Sequence, residues 1–510
     1  MILSGTDGEA GGSRTTLDDL FRRAGVRRPD ALALIDPPNR ESFTNGPPQQ
    51  LTYAQADCAI SALAARLCRL GLRTDTVVAM QLPNTVESVI TLLGVLRAGM
   101  IAVPLPLLWR KQDMVSALGR IGAKAIVTSS RIGSVAPVEI AMQVAAELFP
   151  IRFVCAFGRN LPDGVVPFDD LLAPEHPDAA PAPARSGNAA AHVAAVSFDV
   201  GAEGLVPVAR NHLELIAGGL AGLLEGGIAQ DATILSTIPL GSFAGISLTV
   251  LPWLLSGGTL SLHHAFDPAT FAAQCRAQDG GAVVLPGPAL GALAQAGCLD
   301  DAKNIFALWR SPERLASSVP WHGQAALVDI ASFGEVGLLA LRRGADGMPA
   351  PVPRGSVAAP HGAAGARTVA VTTRTGAGTL ALRGPMVPAH AFPPGAERGD
   401  EPYLNVDAAG FVDTGFACRR NRAANTLVLT GPPGGSTGIG GYRFRQRDVD
   451  AEVANVDPGA TIVALPDALL GERLAGNAPD RAATAAKLQA RGVNPLVAGA
   501  FRPRQPAIAA

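Results

Sequence analysis

Short apolar runs alternate with helix-patterned segments along most of this chain, and no other feature limits its fold as strongly. VVAMQLPN, IAVPLP, KAIVTSS, IRFVCAF and TILSTIPL are brief, apolar and mostly β-branched. The helical patterns of TLDDLFRRAGV, LTYAQADCAISALAARLCRLGL and TVESVITLLGVLRAG are interleaved with them. Strand alternating with helix predicts an α/β fold with largely parallel sheets, because crossover helices cover both sheet faces. Local signals agree. Thr16 can cap the first helix, with Asp18 and Asp19 in the first turn, where the helix dipole favours acid. Ala59, Leu63, Leu67 and Leu70 share one helical face, and Gly71 follows as a stop.

At 510 residues the chain is too long for one ordinary core, so two or more domains are expected. It is 48% hydrophobic and 17% charged, enough apolar material for a large core. A net charge of −1 with no basic stripe argues against a nucleic-acid partner. The cysteines are Cys58, Cys68, Cys155, Cys275, Cys298 and Cys418, with no C-x-x-C pair and no zinc spacing. They read as small core residues in a reducing, cytoplasmic setting. The start, MILSGTDGEAGGSRTT, is acidic and lacks the apolar segment of a signal peptide. Residues 232–264 carry no acidic or basic side chain except two terminal histidines. Pro252, the Gly257-Gly258 pair and the missing basic flanks argue for a strand, a turn and a buried helix rather than a transmembrane span.

Residues 170–190 are rich in Pro and Ala and read as a surface linker. From about 348 to 395 the pattern becomes short strands and turns, expected as a distorted β-barrel-like subdomain. GPPGGSTGIGG, residues 431–441, is a flexible hinge by composition. The remainder predicts a small α+β domain with RQRDVDAEVANV as its helix and ATIVALP as its strand. The expected division is therefore 1–430, a hinge at 431–441, and a shortened C-terminal domain at 442–510.

Several motifs, in order, resemble the adenylate-forming superfamily of acyl-CoA synthetases, adenylation domains and luciferases. They are RRPDALALID, LTYAQAD, LPN at 82–84, LRAGMIAVPL, LRGPMV, GFVDTG, GGYRFRQRDVDAEV and ALPDALLGERLAG. The resemblance covers nearly the whole chain. It implies a large α/β domain, a small rotating C-terminal domain, and ATP, Mg²⁺ and coenzyme A as cofactors. It also implies a small carboxylic acid as substrate, converted first to an acyl-adenylate and then to a thioester.

The same resemblance locates the site. In SFDVGAEGLVPVARNH, residues 197–212, Gly201 and Gly204 match the glycines of the family phosphate loop, and Asn211-His212 resembles its closing pair. Val200, Ala202 and Glu203 stand where the family has hydroxyls, and Val206, Pro207 and Val208 occupy the lysine region. Glu335 in ASFGE matches the Mg²⁺-associated catalytic acid, while Ala331 replaces the adenine-packing tyrosine and Gly334 a threonine. Thr414-Gly415-Phe416 stands for the ribose-binding T-G-D, with Phe416 in place of the aspartate. Gly241 and Ser242 replace an aromatic-His step, and Gly431-Pro432 replaces the hinge G-R. Gly440, Gly441 and Arg443 keep the turn used in the thiol step. The chain has four lysines, Lys111, Lys124, Lys303 and Lys487. Only Lys487 is C-terminal, in a helix-like context unlike the family's catalytic lysine loop.

Three readings follow. The chain is a degenerate member with weak or lost ligase activity, a working ligase whose nucleotide site uses arginines such as Arg210, or a non-catalytic partner or acyl-binding protein. Weaker patterns carry less. GPPGGST lacks the lysine of a phosphate loop. Ser197 and His212 lack the G-x-S-x-G elbow of a hydrolase. His322 is a lone histidine.

Overall fold

The computed structural model describes residues 13–173, 183, 187–277, 281–467 and 470–502. Most of the 170–190 linker, and the first twelve residues on which the signal-peptide reading rests, lie outside the described residues.

Two parallel sheets form the large domain. One has seven strands, in spatial order Val166–Pro167, Phe153–Phe157, Ala125–Ser129, Val77–Gln81, Ile101–Pro104, Val193–Val200 and Leu205–Asn211. The other has eight, in the order Gly337–Arg342, Ala326–Phe333, Asn304–Trp309, Ala282–Pro286, Thr233–Ser236, Thr259–Leu262, Leu32–Ile35 and Gln50–Thr52. Antiparallel pairing occurs only at sheet edges: the last pair of the first sheet and both end pairs of the second. The central strands are buried on both faces; Val77–Gln81 and Ala125–Ser129 are buried at every position. That burial explains their continuous apolar sequence.

Helix Val86–Arg97 is buried along its whole length, against helix Tyr53–Arg69 and strands Val77–Gln81 and Ile101–Pro104. Thr16 caps helix Leu17–Arg27 in a reciprocal capping box with Asp19. Ala59, Leu63 and Leu67 are buried on Tyr53–Arg69, and Gly71 follows it with a positive φ of 82°. The apolar stretch 232–264 folds as strand Thr233–Ser236, a buried helical segment from Phe243 to Ser256, and strand Thr259–Leu262. Among the described residues no helix is long and apolar enough to cross a membrane.

A third, wholly antiparallel six-stranded sheet runs Val352–Pro353, Thr426–Gly431, Val412–Asn421, Thr379–Arg383, Arg367–Arg374 and Gly355–Ala359, curling into a half-barrel. The small C-terminal domain has its own core, including Val449, Val453, Ile462, Leu474, Leu488 and Phe501. Its helix Gln446–Val456 and strand Thr461–Asp467 fall where the sequence placed them. The glycine-rich stretch 431–441 departs from a plain linker. Ser436–Ile439 is a strand paired with Tyr442–Arg445, and Gly440 and Gly441, at φ 54° and 88°, make the turn. Glycine is ambiguous here, because it suits a tight hairpin turn as well as a flexible connection.

Candidate functional site

A cavity of about 1150 Å³ opens beyond the carboxyl ends of the parallel strands, between the large domain and the C-terminal hairpin. Ligand crevices in open α/β sheets lie at this edge, where connecting loops diverge. Its wall is mostly apolar and includes Trp109, Phe198, Ile238, Pro286, Leu293 and Trp309. The strand ends also deliver polar groups: Asp199, Ser242, Arg310 and Glu335.

The loop at 197–212 is a β-hairpin. Val193–Val200 pairs with Leu205–Asn211, and the Gly201 N–H donates to the Gly204 carbonyl at 2.9 Å. The four-residue turn leaves Ala202 and Glu203 exposed. Asn211 caps helix His212–Gly226 in a capping box with Glu214, and the buried His212 Nδ1 accepts from the Leu17 N–H at 3.2 Å. The closing pair is therefore part of a helix start.

Asp199, which sequence reasoning passed over, organises this end of the cavity. One carboxylate oxygen accepts from the Glu335 N–H at 3.0 Å, and the other from Arg443 Nη1 at 3.0 Å. A Cβ on Gly334 would lie 2.1 Å from the Asp199 carboxylate. The volume that a side chain at 334 would need is filled by Asp199, and Gly334 sits at a positive φ of 57°. The only sequence signal for Asp199 was an acid two positions before Gly201.

Glu335 is brought to the hairpin as the motif implied, but it is engaged. Its Oε2 accepts from the Phe243 N–H at 2.6 Å. Burial pushes its carboxyl above the ordinary range, and Asp199 adds to this. The Phe243 N–H, the Ser197 hydroxyl and Arg310 pull the other way. Among the described residues there is no group of three or more His, Cys, Asp or Glu side chains placed to hold a metal ion.

Thr414 and Gly415 are not among the cavity-lining residues. The Thr414 hydroxyl donates to the Leu380 carbonyl at 2.7 Å, and the Gly415 N–H to Asp413 at 2.9 Å. Phe416 is fully buried edge-on against Phe333, with ring centroids 5.6 Å apart, and Arg443 stacks on it at 5.0 Å. Gly440, Gly441 and Arg443 do reach the cavity. Ala331 is buried within its strand and does not line the cavity.

Arg210, the arginine offered as a phosphate binder, is corrected by its contacts. Its guanidinium donates to the carbonyls of Glu335, Val336 and Met386 and stacks 3.7 Å from the Phe243 ring centroid. It is buried and does not line this cavity. Lys487 is exposed on helix Arg481–Ala490, and His322 is exposed in a loop. Gly241 has a packing reason: a Cβ there would lie 2.9 Å from the Leu105 carbonyl oxygen.

Comparison with known proteins agrees with the architecture. A family model described as AMP-binding enzyme matches residues 21–305. A 2-hydroxy-7-methoxy-5-methyl-1-naphthoate–CoA ligase from Streptomyces carzinostaticus is 28% identical over 476 residues, covering 88% of this chain and 80% of that protein. A medium-chain fatty-acid–CoA ligase from Escherichia coli (strain K12) is 24% identical over 255 residues, covering 50% of this chain and 43% of that protein. The solved structure of amide bond synthetase McbA from Marinactinospora thermotolerans superposes with a TM-score of 0.71 at 18% identity, covering 95% of this chain and 94% of that one. The NpsA-ThdA adenylation-PCP di-domain from Klebsiella oxytoca gives 0.66 at 16% identity, covering 94% and 91%.

Proposed function

This chain belongs to the AMP-binding enzyme family, and from that premise we propose that it binds an apolar acyl group while its ATP-dependent ligase step is weak or lost. The observation that carries this reading is Asp199, seated against Gly334 and bridging the Glu335 backbone to Arg443. It places a second carboxylate beside the one acid that would position Mg²⁺.

ATP and Mg²⁺ do not fit the residues at this end. A ribose needs an acceptor where Phe416 presents a buried ring. Polyphosphate needs donors and cations where the hairpin turn offers Glu203, itself 3.6 Å from Arg447 of the C-terminal domain. Two charges about 4 Å apart repel by ~1 kcal/mol in water and by several in a partly buried site. The coenzyme A step keeps more of its parts, since Gly440, Gly441 and Arg443 line the cavity. Arg443, however, is already ion-paired.

The mostly apolar wall supports an apolar acyl ligand, and the ligases among the relatives act on a naphthoate and a medium-chain fatty acid by name. What the chain's residues do is bind, orient and exclude water. The test is calorimetric titration with ATP-Mg²⁺, together with pyrophosphate release across a panel of carboxylic acids. Tight ATP binding with robust turnover would overturn the reading in favour of an active ligase.

A further inference from the structure

Four arginines line the cavity: Arg310, Arg314, Arg443 and Arg445. Three are matched by carboxylates. Arg443 pairs with Asp199 at 3.0 Å, Arg445 with Asp448 at 2.6 Å, and Arg314 with Glu472 at 3.1 Å. Among the described residues Arg310 has no carboxylate within ion-pair distance. Its Nη2 donates to the Ser242 hydroxyl oxygen at 2.7 Å. A guanidinium carries five N–H donors in a planar fork.

The position of Arg310 is fixed from three sides. It follows directly on strand Asn304–Trp309, so the sheet edge projects it into the crevice. Trp309, immediately before it, is held by a bond from its indole N–H to Asp329 at 2.9 Å. From the C-terminal domain, Gly441 packs on the arginine stem, and a Cβ there would lie 3.0 Å from Arg310 Cδ. Burial disfavours the guanidinium's charge and Arg443 adds to that, while Glu335 and Tyr442 offset it. Glu335 does not neutralise it by contact, because its Oε2 is held by the Phe243 N–H. An under-matched cation in a mostly apolar cavity gains most from an anion that brings its own apolar body.

We infer that Arg310 is the binding residue for the carboxylate of an apolar organic acid, whose apolar part fills the cavity walled by Trp309, Ile238 and Leu293. This rests on the apolar-ligand reading of the cavity and adds the group that selects an acid over a neutral molecule of the same shape.

The test compares acids with their matched alcohols on the full chain. The probes are octanoate against 1-octanol and 1-naphthoate against 1-naphthalenemethanol, titrated by calorimetry without ATP. The unmodified chain should bind each acid more tightly than its alcohol, by about 10- to 100-fold for a charge-assisted bond. Arg310→Gln should bring acid affinity down to that of the alcohol and leave alcohol affinity unchanged, which also reports an intact cavity. Arg310→Lys should keep part of the preference, since it keeps the charge without the fork. Equal binding of acid and alcohol by the unmodified chain overturns the Arg310 assignment alone, as does a preference that survives Arg310→Gln. Failure of both acids and both alcohols to bind overturns the apolar-cavity reading and the assignment with it.

Discussion

Two neighbouring groups of polar residues line the cavity and use their charges differently. At the hairpin end, Asp199 answers both Arg443 and the Glu335 backbone, Glu335 takes the Phe243 N–H, and Arg447 lies near Glu203. Beside them Arg310, at the end of strand Asn304–Trp309, bonds the Ser242 hydroxyl and, among the described residues, has no carboxylate partner within ion-pair distance. A site that has to receive a charged ligand leaves some of its own charge unmatched, because a ligand must otherwise displace existing bonds before making new ones. By that criterion the Asp199–Arg443 pair ties the C-terminal hairpin to the large domain, and Arg310 is the group left for the ligand proposed above.

The largest effect expected from this contrast is on catalysis. Removing one charge-stabilising donor commonly costs about 100- to 1000-fold in rate. The loop lysine and hydroxyls and the ribose acid are replaced together, and such losses need not add. ATP-dependent pyrophosphate release by the unmodified chain should therefore fall at least ~1000-fold below that of an active family member assayed with the same acids. Turnover within tenfold of that reference would erase the distinction between the two groups.

A smaller effect tests whether Asp199 and Gly334 form a unit. Gly334→Thr forces a β-branched residue into positive φ and into the Asp199 carboxylate. Left-handed strain of about 1–2 kcal/mol and overpacking of about 1–3 kcal/mol should together lower unfolding stability by ~3 kcal/mol. Asp199→Ala beside it should recover the overpacking part and leave the strain. Chemical denaturation of the two single variants and the double variant gives the coupling. Strict additivity would mean that Asp199 does not occupy the space needed at 334.

How much of this was legible in sequence depends on the range of the interaction. The α/β fold was readable because burial on both faces writes apolar runs into neighbouring residues, as in Val77–Gln81. The cap at Thr16 is equally local, whereas Asn211, read as the close of a phosphate loop, proved to be a helix cap. Glu335 could be placed near the hairpin only through resemblance to the family. Asp199 and Arg310 draw their roles from partners far along the chain: Asp199 from Glu335 and Arg443, Arg310 from Ser242. Nothing in the neighbouring residues records such a pairing. Arg210 shows the converse, since an arginine beside a phosphate-loop pattern turned out to satisfy buried carbonyls. Phe416 was legible as a departure, but its packing on Phe333 was not.

The bridge between domains can be loosened at Arg443. Arg443→Ala removes a partly buried ion pair and the stacking on Phe416. The cost should be about 1–2 kcal/mol, between an exposed pair and a fully buried one. Limited proteolysis within 431–441 should then run roughly tenfold faster, because local opening governs cleavage. An unaltered cleavage rate would show that Asp199 and Arg443 do not restrain the C-terminal hairpin.

The smallest effect is a pH dependence at the cavity rim. Asp113 lines the cavity near Glu452 of the C-terminal domain and accepts the Arg110 N–H at 3.0 Å. Burial pushes its carboxyl up to about 6, against the Arg110 bond and charge, with Glu452 raising it further. An acid with a raised folded-state pKa binds its proton more tightly when folded, so stability falls as pH rises from about 4 to about 6. A full shift of that size in a dry site would be worth about 3 kcal/mol, but Asp113 is only half-buried and solvent screening reduces this to ~1 kcal/mol. Asp113→Asn keeps an acceptor for the Arg110 N–H and cannot titrate. Its unfolding free energy relative to the unmodified chain should therefore improve by ~1 kcal/mol between pH 4 and pH 7, read from denaturation curves at both. Parallel pH profiles for the two proteins would mean that the rim acid is solvated in the folded state, and that the cavity is wetter at the domain boundary than its apolar wall suggests.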